Sequence, residues 1–201
     1  MYGGKHRPVH SVNVADPFAL QELRIRQPGK MMPGRARYEI FDPSKNLLAV
    51  ATETERRSRM DTITGMVPAT RAIDVRTATG EPLLTVVKRD SEWCAEVTGP
   101  NGELIGKIQI GDTRRDYTLI DHEDQVVGQA IGDLAVKLFA VTGADGERYA
   151  QIRKTWAGVR KEFFTDADHY TVAFTGPVSS RTRTLIVMVP IVLDMSRYGP
   201  Y

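Results

Sequence analysis

Gln151-Ile152-Arg153-Lys154-Thr155-Trp156-Ala157-Gly158-Val159-Arg160-Lys161-Glu162-Phe163-Phe164-Thr165-Asp166-Ala167-Asp168 is the stretch on which the reading of this chain turns. It opens as a strand. With side chains alternating between faces, Ile152, Lys154 and Trp156 share one face and Arg153 takes the other. A lysine in line with an apolar face implies a rim position or an ion pair, for which Glu162 across the following turn is a candidate. Upstream, Gly143-Ala144-Asp145-Gly146 supplies turn residues, and the run Ala135 to Val141 precedes them, so Tyr149 to Trp156 is the second arm of a hairpin.

The same phrase recurs toward the N-terminus. Arg37-Tyr38-Glu39-Ile40-Phe41 and Leu47-Leu48-Ala49-Val50-Ala51 flank Asp42-Pro43-Ser44-Lys45-Asn46, with Tyr38 and Ile40, then Leu48 and Val50, alternating as half-buried strands should. Arg71 to Val75 and Pro82 to Val87 flank a turn ending at Gly80. Cys94 to Val97 and Leu104 to Ile108 flank Pro100-Asn101-Gly102, one of the strongest short hairpin signals. Tyr117 to Ile120 and Gln125 to Ala130 flank Asp121-His122-Glu123-Asp124. A spacing of about twenty-odd residues exceeds a solenoid coil and suits successive antiparallel hairpins. Many strands on short turns predict a sandwich or a closed barrel.

Two segments resist this pattern. Ala15 to Ile25 fits a short helix or a strand equally. Thr182 to Tyr198 carries the β-formers Ile186, Val187, Val189, Ile191 and Val192, with Pro190 among them, and on local propensity alone it reads as a buried strand.

The totals bound the function. At 201 residues, 41% of them hydrophobic, one domain can bury a core without covalent staples. A net charge of +2 is milder than dedicated nucleic-acid binders carry, so nucleic acid is not the expected partner. Cys94 is the single cysteine, which excludes an intramolecular disulfide and suits a reducing compartment. No apolar run follows Lys5 and Arg7, so no secretory signal is expected, and Leu185 to Leu193 is about half the length a membrane-crossing helix needs. The expected location is the cytoplasm.

The opening stretch closely resembles the phospholipid scramblase pattern I-x-K-x-W-x-G followed by R-E-x-F-T-D-A-D. Arg37-Tyr38-Glu39-Ile40 resembles that family's opening R-Y-E-I, and Pro100 to Gly106 its p-x-G-x-x-I-G turn. The resemblance covers roughly Ala15 to Tyr198. It implies a mainly β fold shared with tubby and plant LURP-one-related proteins: a closed antiparallel barrel of about a dozen strands around a hydrophobic C-terminal helix. On this reading residues 1–14 are a flexible tail, 15–198 the barrel domain and 199–201 a short tail. The Pro-rich N-terminal extension of eukaryotic scramblases is missing. Their cysteine-rich lipid-attachment stretch is replaced around Thr54 to Met60 by Glu55-Arg56-Arg57-Ser58-Arg59, so palmitoyl anchoring does not carry over.

Asp166 and Asp168 match the first and third carboxylates of the family's proposed calcium segment. Tyr170, Thr171 and Pro177 stand where an EF-hand-like loop wants its later oxygens, glycine and bidentate glutamate, so Ca2+ binding is expected to be weak or absent. Candidate contacts for lipid phosphate or another anion are Arg56, Arg57 and Arg59 in one cluster and Arg153, Lys154, Arg160 and Lys161 in another. Asp121 to Asp124 holds ligand-type residues in a turn where such residues are expected anyway. No nucleophile elbow, zinc-protease helix, phosphate loop or dinucleotide fingerprint is present in the sequence, so no catalytic residue is expected.

Three function classes stay open. The leading one is a non-enzymatic module that associates reversibly with anionic phospholipid or phosphoinositide headgroups, peripherally at the inner face of the plasma membrane. The second is calcium-dependent phospholipid scrambling, which a buried C-terminal segment makes difficult. The third is a protein-interaction or regulatory module, a nucleic-acid partner included.

Overall fold

A computed structural model describes residues 16–28, 36–54, 70–89, 92–156 and 168–197. Twelve antiparallel strands follow one another: β1 (Glu22–Arg26), β2 (Arg37–Phe41), β3 (Leu47–Glu53), β4 (Thr70–Thr77), β5 (Pro82–Arg89), β6 (Cys94–Thr98), β7 (Leu104–Ile110), β8 (Asp116–Asp121), β9 (Val126–Gly132), β10 (Leu138–Gly143), β11 (Arg148–Trp156) and β12 (Asp168–Phe174). Each pairs with its neighbour in sequence, and β1 also pairs with β12, Leu23 opposite Val172 and Ile25 opposite Tyr170. That seam closes the sheet into a barrel and leaves no free edge. One helix, α1 (Ser180–Arg197), follows β12 and fills the interior.

The ambiguous segment Ala15 to Ile25 resolves into a turn and a strand. Asp16 Oδ1 accepts from the Phe18 amide at 2.9 Å, and Leu23 and Ile25 then alternate inward between charged neighbours. In β3 the inward residues are Ala49 and Ala51, not the larger Leu48 and Val50 that the alternation also allowed. The register sets Ala51 beside Tyr38 and Ala49 beside Ile40, so small residues offset large ones inside the barrel. The first arm of the last hairpin starts at Leu138, three residues later than the apolar run suggested. Asp133 ends β9 and binds the next turn together, its Oδ1 accepting from the amides of Lys137 at 2.7 Å and Leu138 at 3.2 Å.

Local propensity fails at α1, and burial explains why. Leu185 to Val189, Ile191 to Leu193 and Met195 are fully enclosed, each burial stabilising by about 1.5–3 kcal/mol. Against this, Pro190 inside the helix costs about 3 kcal/mol and the β preference of valine and isoleucine only about 1 kcal/mol across the whole scale. Every strand of the closed sheet already has two neighbours, so this segment can satisfy its backbone inside the barrel only as a helix. At its start Ser179 caps it, Oγ accepting from the Thr182 amide at 3.2 Å. Arg183 fastens that end to the N-terminal segment, donating to the carbonyls of Phe18 and Leu20 at 3.4 and 2.7 Å with its guanidinium 3.8 Å from the Phe174 ring centroid. Burial pushes the Arg183 guanidinium below its usual value.

The two glycines of the Pro100 to Gly106 motif have separate reasons. Gly102 turns the hairpin at φ 83°, a left-handed conformation that favours glycine. Gly106 lets both β8 and α1 approach β7: an added Cβ would overlap the Ile120 carbonyl of β8 and lie 2.9 Å from Leu185 Cδ1 of α1. Gly106→Val is therefore expected to lower the melting temperature of the protein by several degrees, through overpacking that costs about 1–3 kcal/mol. An unchanged melt would mean that neither β8 nor α1 packs this closely on β7.

Candidate functional site

The barrel has two unlike ends. Where α1 begins, tight turns close the hairpins: Asp42 Oδ1 accepts from the Asn46 amide at 2.8 Å, and Asp121 Oδ1 from Glu123 and Gln125, both at 2.9 Å. The Asn46 side-chain amide, which donates to Asp42 Oδ2 at 2.8 Å, together with its backbone amide holds the Asp42 carboxyl below the usual carboxylate range, and the Gln125 and Glu123 amides do the same for Asp121. Asp124 accepts from Lys107 Nζ at 2.7 Å. The ligand-type residues Asp121 and Asp124 are thus engaged in turn chemistry.

Where α1 ends, the connections 27–36, 54–69, 90–93, 111–115, 133–137 and 157–167 leave the strands. Inside this end the barrel changes character. Glu53, 1% exposed, pairs with Arg71, 3% exposed, at 2.8 Å. Glu53 Oε2 also accepts from the Ala36 amide at 3.0 Å, and Arg71 Nη1 donates to the Met195 carbonyl at 3.1 Å. A cation on the last carbonyls of a helix satisfies an orphan acceptor and opposes the negative end of the dipole. Tyr170 Oη donates to Asp194 Oδ1 at 2.8 Å, and Lys154 Nζ lies 5.2 Å from the Tyr170 ring centroid. Gln27 Nε2 donates to Tyr38 Oη at 3.5 Å, and buried Lys88 gives its Nζ to the Arg89 carbonyl at 3.2 Å. Sequence reasoning missed Glu53, Arg71, Lys88, Tyr170 and Asp194. For the strand residues the signal was available: each occupies the inward position two residues beyond the last inward apolar one, after Ala51, Ile73, Val86 and Val172.

Lys154 and Arg153 part company. Lys154 is 4% exposed and faces the interior, below the rim, whereas Arg153 is exposed on the outer face of β11, directly across from Leu138 of β10. Arg56, Arg57, Arg59, Arg160, Lys161, Asp166 and Glu162 lie outside the described residues. The backbone of Asp168 starts β12 opposite Trp156. The strand ends that flank these stretches, Glu53 and Thr70, Trp156 and Asp168, belong to the same end of the barrel. Among the described residues no three His, Cys, Asp or Glu side chains gather where they could hold a metal ion.

On the outside of this end, three described turns adjoin. The Arg114 guanidinium is 5.7 Å from the Trp93 ring centroid, and Gly132 donates its amide to the Arg115 carbonyl at 2.8 Å. The solvent-facing rim there carries Arg114, Arg115, Lys137 and Arg153. Asp133, Asp116 and Glu92 lie among them. The Asp133 carboxyl is held below the usual range by the amides of its own turn, Asp116 accepts from Thr113 Oγ1 at 2.9 Å, and Glu92 is paired with Arg89 at 3.4 Å.

The described residues thus form a twelve-stranded antiparallel barrel threaded by a buried C-terminal helix, with a polar interior at one end, and no helix among them is long and apolar enough to cross a membrane. The family model for scramblases matches residues 32–199, and the chain belongs to the scramblase family, which is not a family of catalytic enzymes. The match begins after β1, so the strand that closes the barrel lies outside the matched stretch. No curated protein matches the chain significantly.

Proposed function

We propose that this protein associates reversibly with anionic phospholipid or phosphoinositide surfaces through the end of the barrel at which α1 finishes, as a peripheral module at the inner face of the plasma membrane. One observation carries this reading. Arg153, the connection holding Arg56, Arg57 and Arg59, and the connection holding Arg160 and Lys161 all belong to that one end. Cations gathered on a single face can reach headgroups together, each worth about 1 kcal/mol near an anionic surface. Lys154 lies buried beneath them, its Nζ 5.2 Å from the Tyr170 ring centroid.

Flotation with phosphatidylserine-containing vesicles tests the reading. Binding should be clear at low salt and fade toward physiological salt, where the Debye length contracts to about 8 Å. Charge reversal at Arg56, Arg57 and Arg59 should weaken it more than reversal at Arg153, Arg160 and Lys161, and the opposite ranking would move the contact to the β11–β12 connection. Binding that ignores salt, or that is equal on neutral vesicles, sinks the electrostatic model. Binding that requires calcium and is lost in the Asp166→Ala, Asp168→Ala double variant would favour calcium-dependent scrambling instead. Failure to float with any anionic vesicle leaves a protein partner.

A further inference from the structure

The end of the barrel assigned above to lipid also displays apolar side chains that its cations do not explain. Leu134, at the summit of the β9–β10 turn, is 89% exposed, more than any other large apolar side chain described. Ile131 and Leu138 flank it on the outer face, and Trp93, 53% exposed, stands two turns away beside Arg114.

This tip is built and held. Asp133 receives the amides of Lys137 and Leu138 on its side chain and that of Val136 on its carbonyl, at 3.0 Å. Val136 adopts φ 53°, where a β-branched residue is strained, while its side chain packs against the core. A turn shaped only for solvent would place glycine or asparagine there and a polar residue at the summit. Strain that persists around an exposed leucine points to a use for that leucine.

We propose that Leu134 and, two turns away, Trp93 enter the interfacial layer of an anionic bilayer when this end of the barrel docks, an inference that rests on the membrane-association reading above. The occupant is a lipid surface because the apolar group is convex: Leu134 projects from a turn, and cations stand behind it. Lys137 is three residues away and Arg153 sits across from Leu138, at the level where phosphates would lie over a shallowly inserted leucine. Tryptophan with an adjacent arginine suits that interface, its ring apolar and its N–H wet.

The test uses the whole chain with Cys94, the single cysteine, replaced by alanine. Ala135→Cys places an environment-sensitive dye at the tip, and Asn101→Cys places it at the opposite end of the barrel. On phosphatidylserine-containing vesicles the dye at 135 should shift to the blue and be quenched by lipids labelled in the upper acyl chain, while the dye at 101 should not respond. Leu134→Ser, a change at an exposed position, should weaken binding by roughly ten- to hundredfold. Wild-type binding with no response at 135 and an unchanged Leu134→Ser variant overturns the insertion and leaves the electrostatic reading standing. Absence of vesicle binding by the unsubstituted protein overturns both. A blue shift at 135 that grows with protein concentration without lipid assigns the tip to self-association and also overturns it.

Discussion

Val187→Asp is expected to yield no cooperatively folding protein. Val187 lies in the middle of α1 with no exposed surface, walled by strands on every side. A carboxylate there would lose its water without gaining a partner, and even protonated it would leave polar atoms in an apolar interior. The penalty is several kcal/mol, comparable with the roughly 5–15 kcal/mol that holds a domain of this size together. Val187→Ala separates charge from cavity: it removes two methyl groups, costs about 2 kcal/mol and should still fold. Circular dichroism melts of the two variants decide the matter. A soluble Val187→Asp protein that melts as the unsubstituted one does would show that α1 is not the plug of the barrel.

The second large effect belongs to the interior ion pair. Glu53→Ala should destabilise the protein by about 3–5 kcal/mol, since it strands the Arg71 guanidinium in the barrel and leaves the Ala36 amide without its acceptor. Glu53→Leu combined with Arg71→Met should recover part of that loss, because two apolar side chains of similar size need no solvation. The recovery stays incomplete, as the Met195 carbonyl loses its donor. Urea titration of the three proteins reads the difference as a shift in midpoint at constant slope. A Glu53→Ala protein within about 1 kcal/mol of the unsubstituted one would mean that water or another cation reaches this site freely.

Hairpin structure was legible because a half-buried strand writes itself in period two. Tyr38 and Ile40 share one buried face of β2 as their alternation implied, and Ile152 and Lys154 share one buried face of β11. The turns were legible for the same local reason: Asn101-Gly102 and Gly143 to Gly146 carry the conformations their positions need, with Gly102 and Gly146 at positive φ. Leu48 and Val50 marked the wrong face of β3 because alternation alone does not say which side is inward. Ala49 and Ala51 face the barrel interior, where the large Tyr38 and Ile40 of β2 stand beside them. Glu53, Arg71 and Lys88 escaped notice as a group because they are far apart in sequence and each looks like an ordinary charged strand end.

What the sequence determined by itself is the repeated hairpin, the turn glycines, the family motif around Trp156 and the absence of any internal disulfide. These depend on interactions within a few residues or on composition. The closed barrel around a C-terminal helix was implied by the family resemblance and is what the structure shows; only the tertiary structure decided that β1 is the strand that joins β12 at the seam, that burial overrides the β-forming residues and Pro190 of Leu185 to Leu193, and that Lys154 lies buried below the rim and not at it. The reason is common to all three. A closed barrel satisfies every strand's backbone, so a segment left inside must satisfy its own as a helix, and the wall it creates divides each strand into one side that meets the helix and one that meets water.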